Sequence, residues 1–279
     1  MTTHIPTIKE LERMAATIRC DVIHMIHCAR AGHPGGSLSA ADIVTALYFR
    51  VMRLDPQNPA WPERDRFILS KGHGCPVWYA ALAPPGLIGK AELATLRRHD
   101  SRKQGHPDML KTPGLDMTAG SLGHGLSAGL GMALGGRVKG LRFHVYVVLG
   151  DGETQEGEVW EAALAAAKWQ VSNLVAILDR NHLQNDGETD QIMPIEPVAD
   201  KWRAFGWDVR EIDGHDMGQI VEALEDVRDH AARPTLVLAH TVKGRGVSFM
   251  ENVAGWHGRA PTDEEAEQAL CELRRCLDE

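Results

Sequence analysis

Two short apolar runs separated by a helix-forming segment constrain the fold more than any other feature. The runs are FHVYVVL (143–149) and LVAIL (174–178), and residues 156–168 between them are rich in Glu, Ala, Leu and Trp. Continuous apolar runs of this length are typical of strands buried in a parallel sheet. A strand, a helix and a second strand form a βαβ unit with a right-handed crossover. The segment therefore predicts an α/β protein.

The same alternation continues along the chain. A helix is predicted at 8–30, where apolar residues recur at spacings of three and four until Gly32. Further helices are predicted at 40–51 with Ser39 as N-cap, at 121–138, at 216–230, and after Pro261 with Leu270, Leu273 and Leu277 as apolar positions. Strands are predicted at 207–212 and 235–239. We therefore predict a doubly wound, mostly parallel sheet flanked by helices, in a single domain of residues 1–279.

Composition limits the classes of partner. A net charge of −8 argues against a general nucleic-acid footprint, and no apolar run approaches the roughly 20 residues of a membrane span. The N-terminal segment 1–12 is polar and helix-like rather than a signal peptide. The five cysteines lack metal-type spacing, which suits a reducing cytoplasm, and Cys75 is expected to be a buried thiol. The sequence predicts a cytoplasmic protein that binds small molecules or proteins.

The most informative motif is GDGETQEGEVW (150–160), where the first predicted strand ends and a helix begins. Ligands of open α/β sheets bind at the carboxyl ends of strands. Gly150 and Gly152 would allow close backbone approach or a positive φ, and Asp151 offers a hard carboxylate oxygen. Asn181 follows the next predicted strand, one βαβ unit later. A carboxylate and an amide oxygen at adjacent strand ends suit the octahedral shell of Mg²⁺, although two surface turns would have similar composition.

Four histidines lie in glycine-rich segments that we interpret as loops. They are His33 in GHPGGSLS, His73 in SKGHG, His106 in GHPD and His257 in WHG. A single loop histidine is more often solvated than catalytic, but four in one chain favour a common role. Imidazoles can donate to a developing oxyanion and move protons near pH 7. His182, His215 and His240 lack such a setting and are interpreted as structural.

GDG followed about thirty residues later by Asn resembles the signature of thiamine diphosphate enzymes. The four histidine segments, with TAGSLGHGLSAGLGMAL (118–134) and TVKGRGVSFMEN (241–252), resemble transketolase from about Thr7 to Pro261. The resemblance implies the thiamine diphosphate-binding fold with Mg²⁺ (or Ca²⁺ or Mn²⁺). By position it implies three metal ligands, through two side chains and one carbonyl: Asp151, Asn181 and Leu183.

The resemblance also implies roles for the other matched residues. His33 and His257 would contact the donor sugar, His257 also the cofactor, and His106 a substrate hydroxyl. His73 would touch the diphosphate and the substrate channel. Glu156 would be a buried glutamate at the subunit interface, on a proton-linked path between cofactors. The alternative for Glu156 is an ordinary glutamate in the first turn of a helix, favoured by the helix dipole. The remaining cofactor contacts would be Gly120, Leu122, Gly152, Glu153, Asn181 and Lys243.

The resemblance covers only the first of the three transketolase domains. The second domain of the family holds the aminopyrimidine ring and supplies its activating glutamate. We therefore expect a separate C-terminal subunit carrying the pyrimidine-binding domain, two copies of each chain, and ketol transfer between sugar phosphates in pentose phosphate metabolism. Alternatives are another split thiamine diphosphate enzyme, similar to deoxyxylulose-phosphate synthase or a 2-oxo acid dehydrogenase first component, and a non-catalytic cofactor-binding relative.

Overall fold

Helix α1 (Ile8–Ala29) begins the ordered framework of the computed structural model, which describes residues 4–278. Thr7 caps it: its side chain accepts from the Glu10 amide, and the Glu10 side chain accepts from the Thr7 amide. The helix ends where Arg30 adopts a left-handed conformation with φ 52°. The predicted helix at 8–30 is confirmed, whereas residues 1–3 of the predicted polar N-terminal segment lie outside the described residues.

Five parallel strands form the central sheet. Their bounds are β1 (Arg66–Leu69), β2 (Val145–Gly150), β3 (Leu174–Arg180), β6 (Asp208–Asp213) and β7 (Thr235–His240). They lie in the order β1-β2-β3-β7-β6. A separate hairpin joins β4 (Leu183–Gln184) to β5 (Gly187–Glu188). The predicted parallel α/β sheet is confirmed, and β1 is an additional strand that the sequence interpretation missed.

Helices cover both faces of the sheet, which confirms the doubly wound arrangement. The remaining helices are α2 (Pro34–Ser39), α3 (Ala41–Ala46), α4 (Cys75–Leu82), α5 (His124–Val138), α6 (Gly157–Lys168), α7 (Thr189–Ile192), α8 (Val198–Ala204), α9 (Met217–His230) and α10 (Asp263–Asp278). Helices α1, α3, α4 and α9 share one apolar core, and α5, α6 and α8 share the other. Among residues 4–278, no helix has the length and apolar character needed to cross a membrane.

Helix α10 packs on α1 and buries Leu273, whereas Leu270 and Leu277 are only partly covered. This agrees with the predicted acidic C-terminal helix. Cys75 is fully buried as predicted, at the start of α4.

Three local predictions were wrong. Ser39 does not cap a helix; it ends α2, and its hydroxyl donates to Asp179 at 2.6 Å. The helix predicted from residue 121 begins at His124, because Gly123 has a φ of 88° that a right-handed helix excludes. The segment around His33 is a loop only up to that residue, since Pro34 begins α2.

Helix α5 uses glycine on two opposite sides. Towards the sheet, a Cβ atom on Gly129 would lie 2.7 Å from Val147, and one on Gly136 would lie 2.7 Å from Phe143. Glycine therefore lets the helix approach the sheet closely. On the outward side, a Cβ on Gly131 or Gly135 would meet nothing within 4 Å.

Candidate active site

The carboxyl ends of β2 and β3 bring the predicted metal ligands together. Gly150 pairs with Asp179 in the parallel register, so Asp151 and Asn181 follow neighbouring strand ends. The Asp151 carboxylate accepts from the His182 amide at 2.6 Å, which ties the loop after β2 to the loop after β3. The adjacency predicted from one βαβ unit is thus present.

A cavity of about 250 Å³ opens at this edge of the sheet, and we call it the carboxyl-edge cavity. Most of the predicted cofactor and metal residues line it: His73, Leu122, Asp151, Gly152, Glu153, Glu156, Asn181, Leu183, Lys243 and His257. The predicted residues that do not line it are His33, His106 and Gly120. Most of the residues selected from the sequence therefore meet at one cavity.

Asp151 is buried and held by three donors. Its Oδ1 accepts from the Gly152 amide at 2.8 Å, and its Oδ2 accepts from the Arg180 guanidinium at 3.0 Å and from the His182 amide. Burial, with the nearby Asp179 carboxylate, raises the pKa of Asp151 despite Arg180. A buried carboxylate whose pKa is raised in this way gains from an added cation.

An ammonium group lies among the predicted metal ligands. Lys243 Nζ donates to the Leu183 carbonyl at 2.9 Å. Burial lowers the pKa of Lys243 to about 8, with a further contribution from Lys71. The Leu183 carbonyl and the Asp151 carboxylate thus already attract a positive charge to the predicted metal site.

Asp179 and Lys71 form a buried ion pair that the sequence interpretation missed. Asp179 Oδ2 also accepts from Ser39, its Oδ1 accepts from Thr241, and Lys71 Nζ donates to the Gly36 carbonyl at 2.6 Å. Burial opposes ionisation of Asp179, but Lys71 and the hydroxyl donors hold its pKa below the usual value. The pair joins α2 to the loops after β1 and β7, so it fixes the walls of the carboxyl-edge cavity.

The four predicted catalytic histidines converge into one group, which we call the histidine cluster. The His33 ring lies 5.2 Å from that of His73, 5.6 Å from that of His257 and 6.4 Å from that of His106, measured between ring centroids. His73 and His257 stack at 5.0 Å. Two of these residues also line the carboxyl-edge cavity, so the cluster and the cavity form one site.

The histidine cluster is neutral at physiological pH. Burial is the main cause, with neighbouring imidazoles and cations: it lowers the pKa of His33 to about 4 and that of His257 to about 3. The pKa of His73 is well below its usual value for the same reason, and burial and Arg97 lower that of His106. A neutral imidazole can donate through one nitrogen and accept through the other.

Two buried atoms of the cluster have no hydrogen-bond partner in the described part of the chain: Nδ1 of His33 and Nδ1 of His257. Buried polar atoms are almost always hydrogen-bonded, so an unpaired one needs an explanation. A polar ligand that reached these atoms would satisfy them.

Several predicted residues have contacts different from those expected. Gly152 has no positive φ, and neither has Gly150; a Cβ on Gly152 would lie 2.9 Å from Gln184, so packing explains this glycine. The buried Glu153 carboxylate accepts from the Gly123 and Gly150 amides and from Ser70, and therefore holds three loops.

Glu156 and Gly120 are exposed in this chain, so the predicted burial of Glu156 is not seen within it. Glu156 precedes α6 without a side-chain capping bond. Gly120 lies beside His106: a Cβ atom added to Gly120 would be 3.8 Å from the imidazole ring.

The other histidines lie outside the histidine cluster. His215 donates from Nδ1 to Asp42 at 2.7 Å, and its Nε2 accepts from the Val242 amide at 2.8 Å, so its role is structural. His182 and His240 are exposed.

The donor set fits a hard cation. Within residues 4–278, no three His, Cys, Asp or Glu side chains form a metal-binding group. The predicted set needs none, because one carboxylate, one amide oxygen and one carbonyl leave room for phosphate and water oxygens. Together with a neutral histidine cluster at the carboxyl edge of a parallel sheet, this set defines a diphosphate-cofactor domain.

Comparisons with known proteins identify the family. The family model "Transketolase, thiamine diphosphate binding domain" matches residues 11–274. The chain therefore belongs to the transketolase family, through its thiamine diphosphate-binding domain. This confirms the predicted family, the predicted fold and thiamine diphosphate as the family cofactor.

Relatives of similar length are transketolase subunits. The chain is 46% identical to the 6-deoxy-6-sulfo-D-fructose transketolase subunit of a Clostridium strain, covering 95% of this chain and 97% of that protein. It is 40% identical to one subunit of the apulose-4-phosphate transketolase of Phocaeicola vulgatus, covering 97% and 96%. The prediction of a transketolase subunit, and hence of a transferase, is confirmed.

Longer relatives are similar to this chain over one part of their length. Human transketolase is 38% identical over 97% of this chain but only 43% of its own length. The structure of Pichia stipitis transketolase with sedoheptulose 7-phosphate has a TM-score of 0.91 and 30% identity, covering 96% of this chain and 41% of that one. The chain thus spans about two fifths of these longer transketolases.

Proposed function

We propose that residues 1–279 form one domain that binds thiamine diphosphate with Mg²⁺ and, with a second polypeptide, transfers a two-carbon ketol unit between sugar phosphates in the cytoplasm. The observation that carries the proposal is the neutral histidine cluster beside the carboxyl-edge cavity, in which His33 and His257 each have a buried nitrogen with no partner among residues 4–278. The family and the subunit-length relatives support it.

Asp151, Asn181 and the Leu183 carbonyl would hold the metal, with Ca²⁺ or Mn²⁺ as substitutes. Gly152 and Glu153 would lie at the diphosphate end, with Lys243, whose ammonium would leave the Leu183 carbonyl when the metal binds. When bound, thiamine diphosphate supplies a thiazolium carbon that acts as a nucleophile towards a ketose carbonyl.

The histidine cluster would handle protons on the sugar. His33 and His257, neutral because their pKa values are lowered by burial, would donate to the donor carbonyl oxygen and to its hydroxyls. His73 would contact both the diphosphate and the substrate channel, and the exposed His106 would contact a substrate hydroxyl. Neutral imidazoles donate hydrogen bonds without a net charge that would repel a positively charged thiazolium.

A partner subunit would cover the outward side of α5 and α6. Leu164 and Trp169 are each 58% exposed there, and Leu122 is exposed at the rim of the carboxyl-edge cavity. A Cβ atom on the outward Gly131 or Gly135 would contact nothing in the part of the chain that the structure describes, so packing there does not require glycine. Exposed apolar side chains beside a backbone that can be approached closely are typical of an interface.

Glu156 lies in the same region and would be buried by that partner. The partner would carry the pyrimidine-binding domain and its activating glutamate, and two copies of each chain would form a closed heterotetramer.

The experiment is a ketol-transfer assay on this chain alone and after co-expression with a polypeptide that carries the pyrimidine-binding domain. Light scattering on the same samples measures the mass of the complex. We expect activity only from the co-expressed sample, with a mass of twice the summed chains. Full activity from the isolated chain would contradict the need for a partner, and thiamine diphosphate binding without ketol transfer in the complex would contradict the activity.

A further inference from the structure

A second, larger cavity lies at the opposite end of the sheet. It has a volume of about 540 Å³ and is lined by four arginines, with His144 and Asn173. His144 immediately precedes β2 and Asn173 immediately precedes β3, so this cavity is at the amino ends of strands whose carboxyl ends form the first site. We call it the arginine pocket; its arginines are Arg53, Arg137, Arg142 and Arg228.

The charge of the arginine pocket is opposite to that of the whole chain. The chain has a net charge of −8, yet Asp229 is the only acidic residue lining the pocket within the described chain. Asp229 is already paired with Arg228 through two contacts of 2.8 Å. Arg53 contacts the buried Asp65 at 3.4 Å.

Two of the arginines differ in what they contact. Arg137 donates to the Trp169 and Gln170 carbonyls. The exposed Arg142 guanidinium has no ion-pair or hydrogen-bond partner among residues 4–278. The pocket therefore has cationic groups in excess of what the protein itself neutralises.

Unpaired buried atoms are concentrated around the arginine pocket. Of the six buried side-chain polar atoms without a partner in the described residues, two are on residues that line the pocket, His144 Nδ1 and Asn173 Oδ1, and a third, Tyr146 OH, is on the strand that begins beside it. The Tyr146 ring lies 6.0 Å from that of His144, and the Asn173 amide nitrogen donates to the Ala133 and Phe143 carbonyls, which leaves Oδ1 as the unpaired end.

Two of the other three unpaired atoms are in the histidine cluster. The arginine pocket therefore shares unpaired buried polar atoms with the histidine cluster, where we expect a ligand to bind. An unpaired buried polar atom is unfavourable, so a ligand or an ordered water that reached it would stabilise the site.

We propose that the arginine pocket is a second binding site, for a small phosphate-bearing anion with polar groups. A guanidinium presents parallel N–H donors that match a phosphate, and the pocket volume lies within the range of small-molecule sites. The site does not depend on the proposed ketol transfer, because it shares no lining residue with the carboxyl-edge cavity.

Inorganic phosphate is the probe. It is titrated into the assembled complex saturated with thiamine diphosphate and Mg²⁺, and binding is followed by the ³¹P line width. The test variant is Arg142→Gln, which removes a guanidinium without a side-chain partner in the described chain and should leave the melting temperature unchanged. The matched control is Arg203→Gln, an exposed arginine paired with Asp200 and Glu211 outside the pocket.

We expect saturable binding that Arg142→Gln weakens about tenfold, the scale of one charge-assisted hydrogen bond, and that Arg203→Gln leaves intact. Two results would overturn the proposal: no saturable binding to the cofactor-saturated complex, or equal loss in both variants. Binding to the lone chain but not to the complex would show that the pocket is covered by the partner subunit, which would also refute a small-molecule site.

Discussion

The buried Asp179–Lys71 pair gives the sharpest test of how the site is held together. In Asp179→Asn, one carboxylate oxygen becomes an amide donor. Oδ2 accepts from Ser39 and Lys71, and Oδ1 accepts from Thr241. An amide nitrogen at the Oδ2 position would face the Lys71 ammonium, which only donates, and one at the Oδ1 position would require the Thr241 hydroxyl to turn and accept. Lys71, only 2% exposed, loses its counter-charge. Removing one partner of a buried pair costs about 3–5 kcal/mol.

The assay is thermal unfolding without cofactor, so that stability is measured apart from binding. A loss of this size should lower the melting temperature by roughly 10 °C in a chain of this length. Asp208→Asn is the control, because Asp208 is 43% exposed in its pair with Arg210 and an exposed pair contributes at most about 1 kcal/mol. Adding Lys71→Met to Asp179→Asn should lose less than the sum of the two single losses. A drop as small as that of the control, or strictly additive losses, would refute the reasoning.

Three further predictions concern the active site. Asp151→Ala and Asn181→Ala should each abolish Mg²⁺-dependent retention of thiamine diphosphate, measured by calorimetry; unchanged metal dependence would disprove the ligand assignment. His33→Ala and His257→Ala should lower turnover by roughly 10²-fold with cofactor affinity retained, whereas the exposed His182→Ala should be benign; equal damage would contradict the division. Because the pKa values of His33 and His257 are lowered from 6.5 to about 4 and about 3, the unfolded chain binds protons that the folded chain does not. Unfolding free energy should therefore fall as pH drops below 6.5, and urea midpoints at pH 7 and pH 5 should differ less in the double His→Gln variant.

The sequence predicted the centre of the fold because its strands are buried on both faces. Residues 145–149 of β2 and 174–178 of β3 include no charged residue, and their spacing leaves room for a helix between them. Strand β1 was not predicted because its four residues, RFIL, are too few to show the alternation of apolar and polar residues that indicates a strand. Gly123 shifted the start of α5 through a backbone angle that residue type alone does not reveal.

The sequence was sufficient to predict which residues lie together in two cases. The residues either follow adjacent strands or belong to recognisable sequence motifs. Asp151 and Asn181 are one βαβ unit apart, and each clustered histidine lies in its own glycine-rich segment. Lys71 and Asp179 were missed because they are 108 positions apart and neither is distinctive alone. The arginine pocket combines four separate parts of the chain, so only the folded protein shows it.

The outward glycines of α5 have a consequence for the amount of this protein that accumulates in a cell. A Cβ atom on Gly131 or Gly135 would meet nothing within 4 Å in the described part of the chain, and each glycine weakens a helix by about 1 kcal/mol relative to alanine. Leu164 in α6 and Trp169 just after it face water. Because the proposed partner would cover this face, a copy made in excess of it would be the less stable and more adhesive form, of the kind that proteases and chaperones remove. We expect the two polypeptides to be needed in equal amounts, so that matched synthesis rather than total expression sets the level of the enzyme.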